Sequence, residues 1–155
     1  SRKDYLVQFH LFGRSYNPSY LKECKELAEK MPPEIQVHFH GSIPPHEIPD
    51  RIKEYHFLLM PSFGENYKHA IIESLSAGRP VIISDQTPWR DLDEHHCGWS
   101  ISLDQPKAFS DILKSCLDMG NDEFIRMHHS AIAYAKKNLN IEGLKNEYMD
   151  LLNSP

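Results

Sequence analysis

Apolar residues in this chain fall into short runs separated by stretches of helical spacing. Residues 5–12 (YLVQFHLF) read as a buried strand ended by Gly13. Over 19–30, Leu21, Cys24, Leu27 and Ala28 recur at helical spacing, and Pro32-Pro33 stops that helix. Residues 35–39 form a second short strand, closed by His40-Gly41, and 46–55 predict a short helix with Pro49 near its start. A third strand follows over 56–60 (HFLLM), then the most apolar helical run at 67–77, a fourth strand at 80–84 (PVIIS) and a fifth at 99–103. After that the pattern is helical, over 108–117, 122–137 and 142–152.

Strands that alternate with helices and are nearly continuous apolar runs indicate a parallel sheet covered on both faces. The expected fold class is therefore α/β and Rossmann-like. No internal repeat, low-complexity tract or linker divides the chain, so one domain over residues 1–155 is expected. Open sheets of this type bind ligands outside the carboxyl ends of their strands. Those ends are Gly13-Arg14, Gly41-Ser42, residues 62–67 and residues 85–89.

Composition narrows the partners. The 155 residues suffice for one core, and a formal net charge of -5 argues against nucleic acid or anionic lipid as the main partner. Cys24, Cys97 and Cys116 are odd in number and lack CxxC spacing, which suits reduced thiols in a cytosol. No stretch approaches the ~18 apolar residues of a membrane span. The opening Ser1-Arg2-Lys3-Asp4 runs almost directly into a strand, as expected of a piece of a larger protein.

The chemistry gathers at residues 61–80, PSFGENYKHAIIESLSAGRP. Glu73 lies between Ile71-Ile72 and Leu75, in a helical stripe that ought to be buried, and an unpaired carboxylate there is costly. Glu65 lies eight residues earlier, where strand gives way to helix. Free N–H groups and the dipole of that helix N-terminus suit a phosphate, and Lys68 and His69, which oppose the dipole, make sense beside a bound anion. A carboxylate accepts two hydrogen bonds well from a vicinal diol. A molecule with a diol at each end and phosphates between, such as a nucleotide sugar, would satisfy both carboxylates. The structural alternative pairs Glu73 with Arg79 or Arg51 and leaves Glu65 as a solvated loop residue.

The stretch PSFGENYKHAIIESLSAGRPVIISDQTPW resembles the E-x7-E signature of family 4-like glycosyltransferases of GT-B architecture, in their C-terminal, donor-binding domain. Pro61-Ser62, Glu65 and Glu73 at that spacing, and Ala77-Gly78-x-Pro80-Val81 carry the match, and VHFHGSIPPHEIPDRIKEYHFLLMPS is similar to the family's lead-in. The resemblance covers residues 5–103. It implies metal-free, retaining transfer of a sugar, hexosyltransferase-like, from a nucleoside diphosphate sugar, with no further cofactor. By carry-over Glu65 is the catalytic residue that contacts the donor sugar hydroxyls, and Glu73 holds the ribose diol. The backbone of Asn66, Tyr67, Lys68 and His69 holds the diphosphate. Ser42 and Ile43 line the nucleobase slot, and the loop with Thr87 lines the sugar pocket. It further implies a cytoplasmic protein, at most peripheral at the membrane's inner face, acting on a saccharide or lipid-linked acceptor in surface-polysaccharide or glycoconjugate synthesis. The acceptor would be bound through an N-terminal domain that this chain lacks.

Two departures stand out. The family has glycine where Lys68 stands, and its basic strand before the present first strand is missing, so this piece alone is expected to be inactive. The rival reading is a doubly wound nucleotide-binding or interaction module without catalysis. His38-x-His40, His95-His96-Cys97 and His128-His129 lack the spacing of a structural zinc site, and no metal is expected. A dinucleotide dehydrogenase would need GxGxxG after a strand, which Gly13-Arg14-Ser15-Tyr16 does not supply.

Overall fold

The computed structural model describes residues 5–64 and 68–139. They fall into two compact units that meet between Ile48 and Pro49, and each is described by itself.

The first unit is a β–α–β crossover. Strands β1 (Val7–Phe12) and β2 (Ile35–Gly41) pair in parallel, Val7 against Ile35 through Leu11 against Phe39. Helix α1 (Pro18–Glu29) connects them. It starts where Asn17 accepts the Tyr20 N–H at 3.1 Å and Pro18 takes the first turn, which needs no N–H there. The register sets Gln8 opposite Gln36 and His10 opposite His38 on one face, and Val7, Phe9 and Leu11 opposite Ile35, Val37 and Phe39 on the other. The run expected as a buried strand is thus an alternating one, and no described residue of this unit is buried. A strand pair with one helix has too few layers to cover both faces. A 3-10 turn, Pro45–Glu47, ends the unit's described structure. With α2 (Ile48–Ile52) it occupies the place of the single helix expected over 46–55.

The second unit contains the core. Strands β3 (Leu58–Met60), β4 (Val81–Ser84) and β5 (Gly98–Ile101) form one parallel sheet with β4 in the middle, and Leu58 lies opposite Val81. Parallel pairing follows from helix α3 (Lys68–Ser76), which crosses between β3 and β4. All four β4 residues are buried, so both faces of the central strand are covered. Val81 and Ile83 pack with Ile71 and Leu75 of α3, with Leu92 and Cys97, and with Ala131, Tyr134 and Ala135 of α5 (Asn121–Asn138). Each such aliphatic side chain removed from water contributes about 1.5–3 kcal/mol. Helix α4 (Pro106–Asp118) precedes α5. The helix expected over 142–152 lies outside the described residues. The architecture is α/β and Rossmann-like, with parallel strands joined and covered by helices.

Candidate functional site

The carboxyl ends of β3 and β4 and the start of α3 lie at one edge of the second unit's sheet. Ser84 closes β4, and its buried hydroxyl donates to the Ser62 carbonyl at 2.5 Å, tying the loop after β3 to the end of β4. The Ser62 hydroxyl is buried and has no partner among the described residues. Thr87 is buried and donates from Oγ1 to the Ser84 carbonyl at 3.3 Å. Its hydroxyl is therefore held inward by the turn after β4.

Helix α3 is fixed at its far end. Gly78 has φ 72°, Arg79 N–H donates to Ser74 O at 2.9 Å, and Gly78 N–H donates to Leu75 O at 3.0 Å. This is a Schellman closure, and it needs the positive φ that glycine takes without strain. The Ser74 hydroxyl also donates to Arg79 O at 3.0 Å. Ile71 and Leu75 face the core, Glu73 is half-buried, and His69 is exposed on the first turn. Glu73 makes no side-chain hydrogen bond or ion pair among the described residues. Its two expected structural partners are engaged elsewhere. Arg51 Nη1 lies 3.1 Å from Glu54 Oε2, and Arg79 Nη2 donates to Lys53 O at 2.6 Å with its guanidinium over the Phe124 ring.

Glu65, Asn66 and Tyr67 lie outside the described residues, and Lys68 is placed only as the first residue of α3. In the first unit, Ser42 is exposed and Ile43 half-buried just after β2. The second unit thus brings Glu73, His69 and Thr87 onto elements that open at one sheet edge.

A cluster that the motifs did not indicate lies in the loop between β4 and β5. The Tyr134 hydroxyl of α5 donates to Asp91 Oδ1 at 2.5 Å, and His95 Nε2 lies 3.3 Å from Asp91 Oδ2. Trp89 packs edge-on against the Tyr134 ring at 6.1 Å. Pro88, Trp89, Arg90, Asp91, Tyr134 and Asn138 line an open groove of about 440 Å³. The Tyr134 hydroxyl and the nearby His95 hold the Asp91 carboxyl below its usual range, whereas burial, with Asp91 beside it, pushes the Tyr134 phenol up. Burial also pushes the Cys97 thiol up to about 12, with the Asp91 charge adding to it. One sequence cue did exist: Tyr134 occupies a core position of α5, and a buried tyrosine needs a partner for its hydroxyl.

Among the described residues no helix is long and apolar enough to cross a membrane. Among them, too, no group of three or more His, Cys, Asp or Glu is arranged to hold a metal ion.

Residues 1–138 match the family described as glycosyl transferases group 1, and the chain belongs to that family. Solved structures share its fold. HepE of Anabaena, crystallised in complex with UDP-glucose, superposes with a TM-score of 0.77 at 19% identity, over 94% of this chain and 40% of that one. WaaG, a glycosyltransferase involved in lipopolysaccharide biosynthesis, gives 0.71 at 17% identity, over 94% of this chain and 38% of that one. The chain therefore spans about two-fifths of the length of these two structures. Comparison with curated protein sequences gives no match. The family resemblance carried by residues 61–89 and the Rossmann-like half of a GT-B fold are both borne out.

Proposed function

We propose that this chain is the donor-binding domain of a retaining, hexosyltransferase-like glycosyltransferase that takes its sugar from a nucleoside diphosphate sugar. One observation carries the reading: Glu73 is half-buried on α3 and has no side-chain partner among the described residues, while Arg51 and Arg79 are engaged elsewhere. A carboxylate in that position is stabilised by a ligand that supplies two hydroxyl donors, as a ribose does. The start of α3 presents backbone N–H groups and the positive end of a helix dipole to a diphosphate, and His69 stands on that turn. Lys68 belongs to the same first turn, and Thr87 borders the sugar.

Glu65, next to the sugar, stabilises the positive charge that develops at the anomeric carbon as the diphosphate leaves. No metal is required in this reading, because the helix terminus and its cationic first turn carry the leaving group's charge. The acceptor, a saccharide or lipid-linked saccharide, reaches the crevice from another part of the protein, on the cytoplasmic side. The ligand of the Anabaena structure makes UDP-glucose the first donor to try, and WaaG's involvement in lipopolysaccharide biosynthesis favours a role in surface polysaccharides.

The test is a thermal-shift and calorimetry panel of UDP, GDP, ADP and dTDP with their glucose conjugates, on the intact protein. A bound donor raises the melting temperature by mass action. For the nucleotide selected, Glu73→Gln should weaken binding by about 1.5–3 kcal/mol, the scale of hydrogen bonds to a charged group. Unchanged affinity with a large drop in melting temperature would show Glu73 to be a structural residue and would overturn the assignment.

A further inference from the structure

The loop from Asp85 to Cys97 carries Thr87 and contains no regular helix or strand, so its side-chain anchors decide its conformation. At its start, Thr87 is tied to the Ser84 carbonyl. Its second half is tied to α5, where the Tyr134 hydroxyl donates to Asp91, and where the Trp89 and His95 rings stand 6.1 and 5.1 Å from that of Tyr134. The same helix also holds the far end of α3, at the opposite edge of the sheet from the site. His128 Nδ1–H donates to the Gly78 carbonyl at 2.9 Å, at the residue that closes α3, and a Cβ on Gly78 would lie 2.1 Å from that nitrogen. Six residues of helix separate His128 from Tyr134, a rise of about 9 Å.

We infer that α5 holds the sugar side of the donor site in place, with Tyr134 as a positioning residue that acts through Asp91 on the Thr87 loop. The inference rests on the donor-binding reading above and assigns it a specific determinant. Glu73 and the start of α3 are anchored by the core and by Gly78, independently of Asp91. Loosening the Asp91 tie therefore frees the part of the crevice that borders the sugar and leaves the nucleoside diphosphate part in place. A phenylalanine would fill the Tyr134 core position equally well. The hydroxyl's contribution is the reach to Asp91.

The experiment compares wild type, Tyr134→Phe, Asp91→Ala, Asp91→Asn and the double variant Tyr134→Phe/Asp91→Ala in the intact protein. The readouts are affinity for the bare nucleoside diphosphate selected by the panel, affinity for its glucose conjugate, and slow hydrolysis of that conjugate with water as acceptor. Tyr134→Phe and Asp91→Ala should each weaken the sugar conjugate and lower its hydrolysis by about 5–20-fold, the scale of a misplaced reacting group. Bare diphosphate affinity should stay within about two-fold of wild type, since no tie to α3 is lost. Asp91→Asn, which keeps an acceptor oxygen, should recover part of the loss, and the double variant should be no worse than Asp91→Ala alone. Equal weakening of both ligands would make Tyr134 a general structural anchor and overturn the proposal, as would unchanged sugar binding or additive single effects. Wild type that binds none of the panel would overturn the donor reading itself, and the positioning role with it. That result differs from wild-type binding that survives Tyr134→Phe intact.

Discussion

The two sheets of this molecule are built from similar letters and end up in opposite states. In β1 and β2, Gln8 donates across to Gln36 at 3.1 Å, and the His10 ring stacks on His38 at 4.6 Å. His10 Nδ1 also lies 2.8 Å from His40 Nε2. In β4, by contrast, Val81, Ile82, Ile83 and Ser84 are all buried, and β4 is flanked by a strand on each side. The first sheet has a polar ladder on one face and apolar residues on the other; the second has no solvent face at its centre. A parallel strand is locked in place where both of its faces are covered, and it is there that the ends of β3 and β4 can hold a site rigidly.

Steric disruption of the covered sheet should have the largest effect. Gly98 pairs with Val81, and a Cβ there would lie 2.2 Å from the Val81 carbonyl oxygen, a backbone atom that cannot swing aside. Gly98→Ala should cost about 3 kcal/mol in a denaturant titration, the upper end of the usual range for overpacking. A cost under about 1 kcal/mol would mean that β5 adapts, and the picture of a rigid second sheet would fail.

Matched truncations sharpen the contrast. Leu75, with 0% exposure, packs in the core of the second unit, whereas Leu11, on β1, is 44% exposed. Leu75→Ala should cost about 2–5 kcal/mol, because a cavity is left behind. Leu11→Ala should cost under about 1 kcal/mol. Equal costs in the same titration would show that the first sheet is as well covered as the second.

Thiol chemistry gives a kinetic version of the same comparison. Cys97 is fully buried, burial holds its thiol near about 12, and its Sγ donates to the Leu92 carbonyl at 3.5 Å. Cys24 is half-buried on α1. At pH 8 in native buffer, alkylation followed by mass spectrometry should label Cys24 at least about 100-fold faster than Cys97, which reacts only through opening of the core. Comparable rates would place the opening of the second unit at far lower free energy than its packing implies.

Much of this was legible in advance, for identifiable reasons. The helix α3 run and PVIIS obey a single period, so element type and parallel pairing followed from them. The spacing of Glu65 and Glu73 pointed to the family directly. The first strand was misjudged as buried because Leu6, Leu11 and Phe12 masked a period of two that Gln8, His10, Gln36 and His38 reveal only when the strands are paired. That Glu73 has no partner among the described residues could not be known from sequence, since Arg51 and Arg79 were both available until Glu54 and Lys53 engaged them. The Asp91–Tyr134 tie joins residues 43 apart, and neither belongs to a motif.

The smallest expected effect separates the second unit's edge from its core by pH. The Asp91 carboxyl is held below its usual range, first by the Tyr134 hydroxyl and then by His95. A depressed carboxyl contributes stability that is fully present above its unfolded pKa, about 3.9, and is lost as pH falls through its folded value. The Asp91 side chain is 51% exposed, so solvent screening keeps this contribution under about 1 kcal/mol. Denaturation of wild type and Asp91→Asn should therefore differ modestly at pH 6 and converge as pH falls below about 4. Trp89, packed against Tyr134, offers a local fluorescence readout of the same step. A gap that persists unchanged to pH 3 would mean that Asp91 stabilises the loop by shape alone. The charge on its carboxylate, which makes the Tyr134 hydrogen bond strong, would then be irrelevant to how the loop is held.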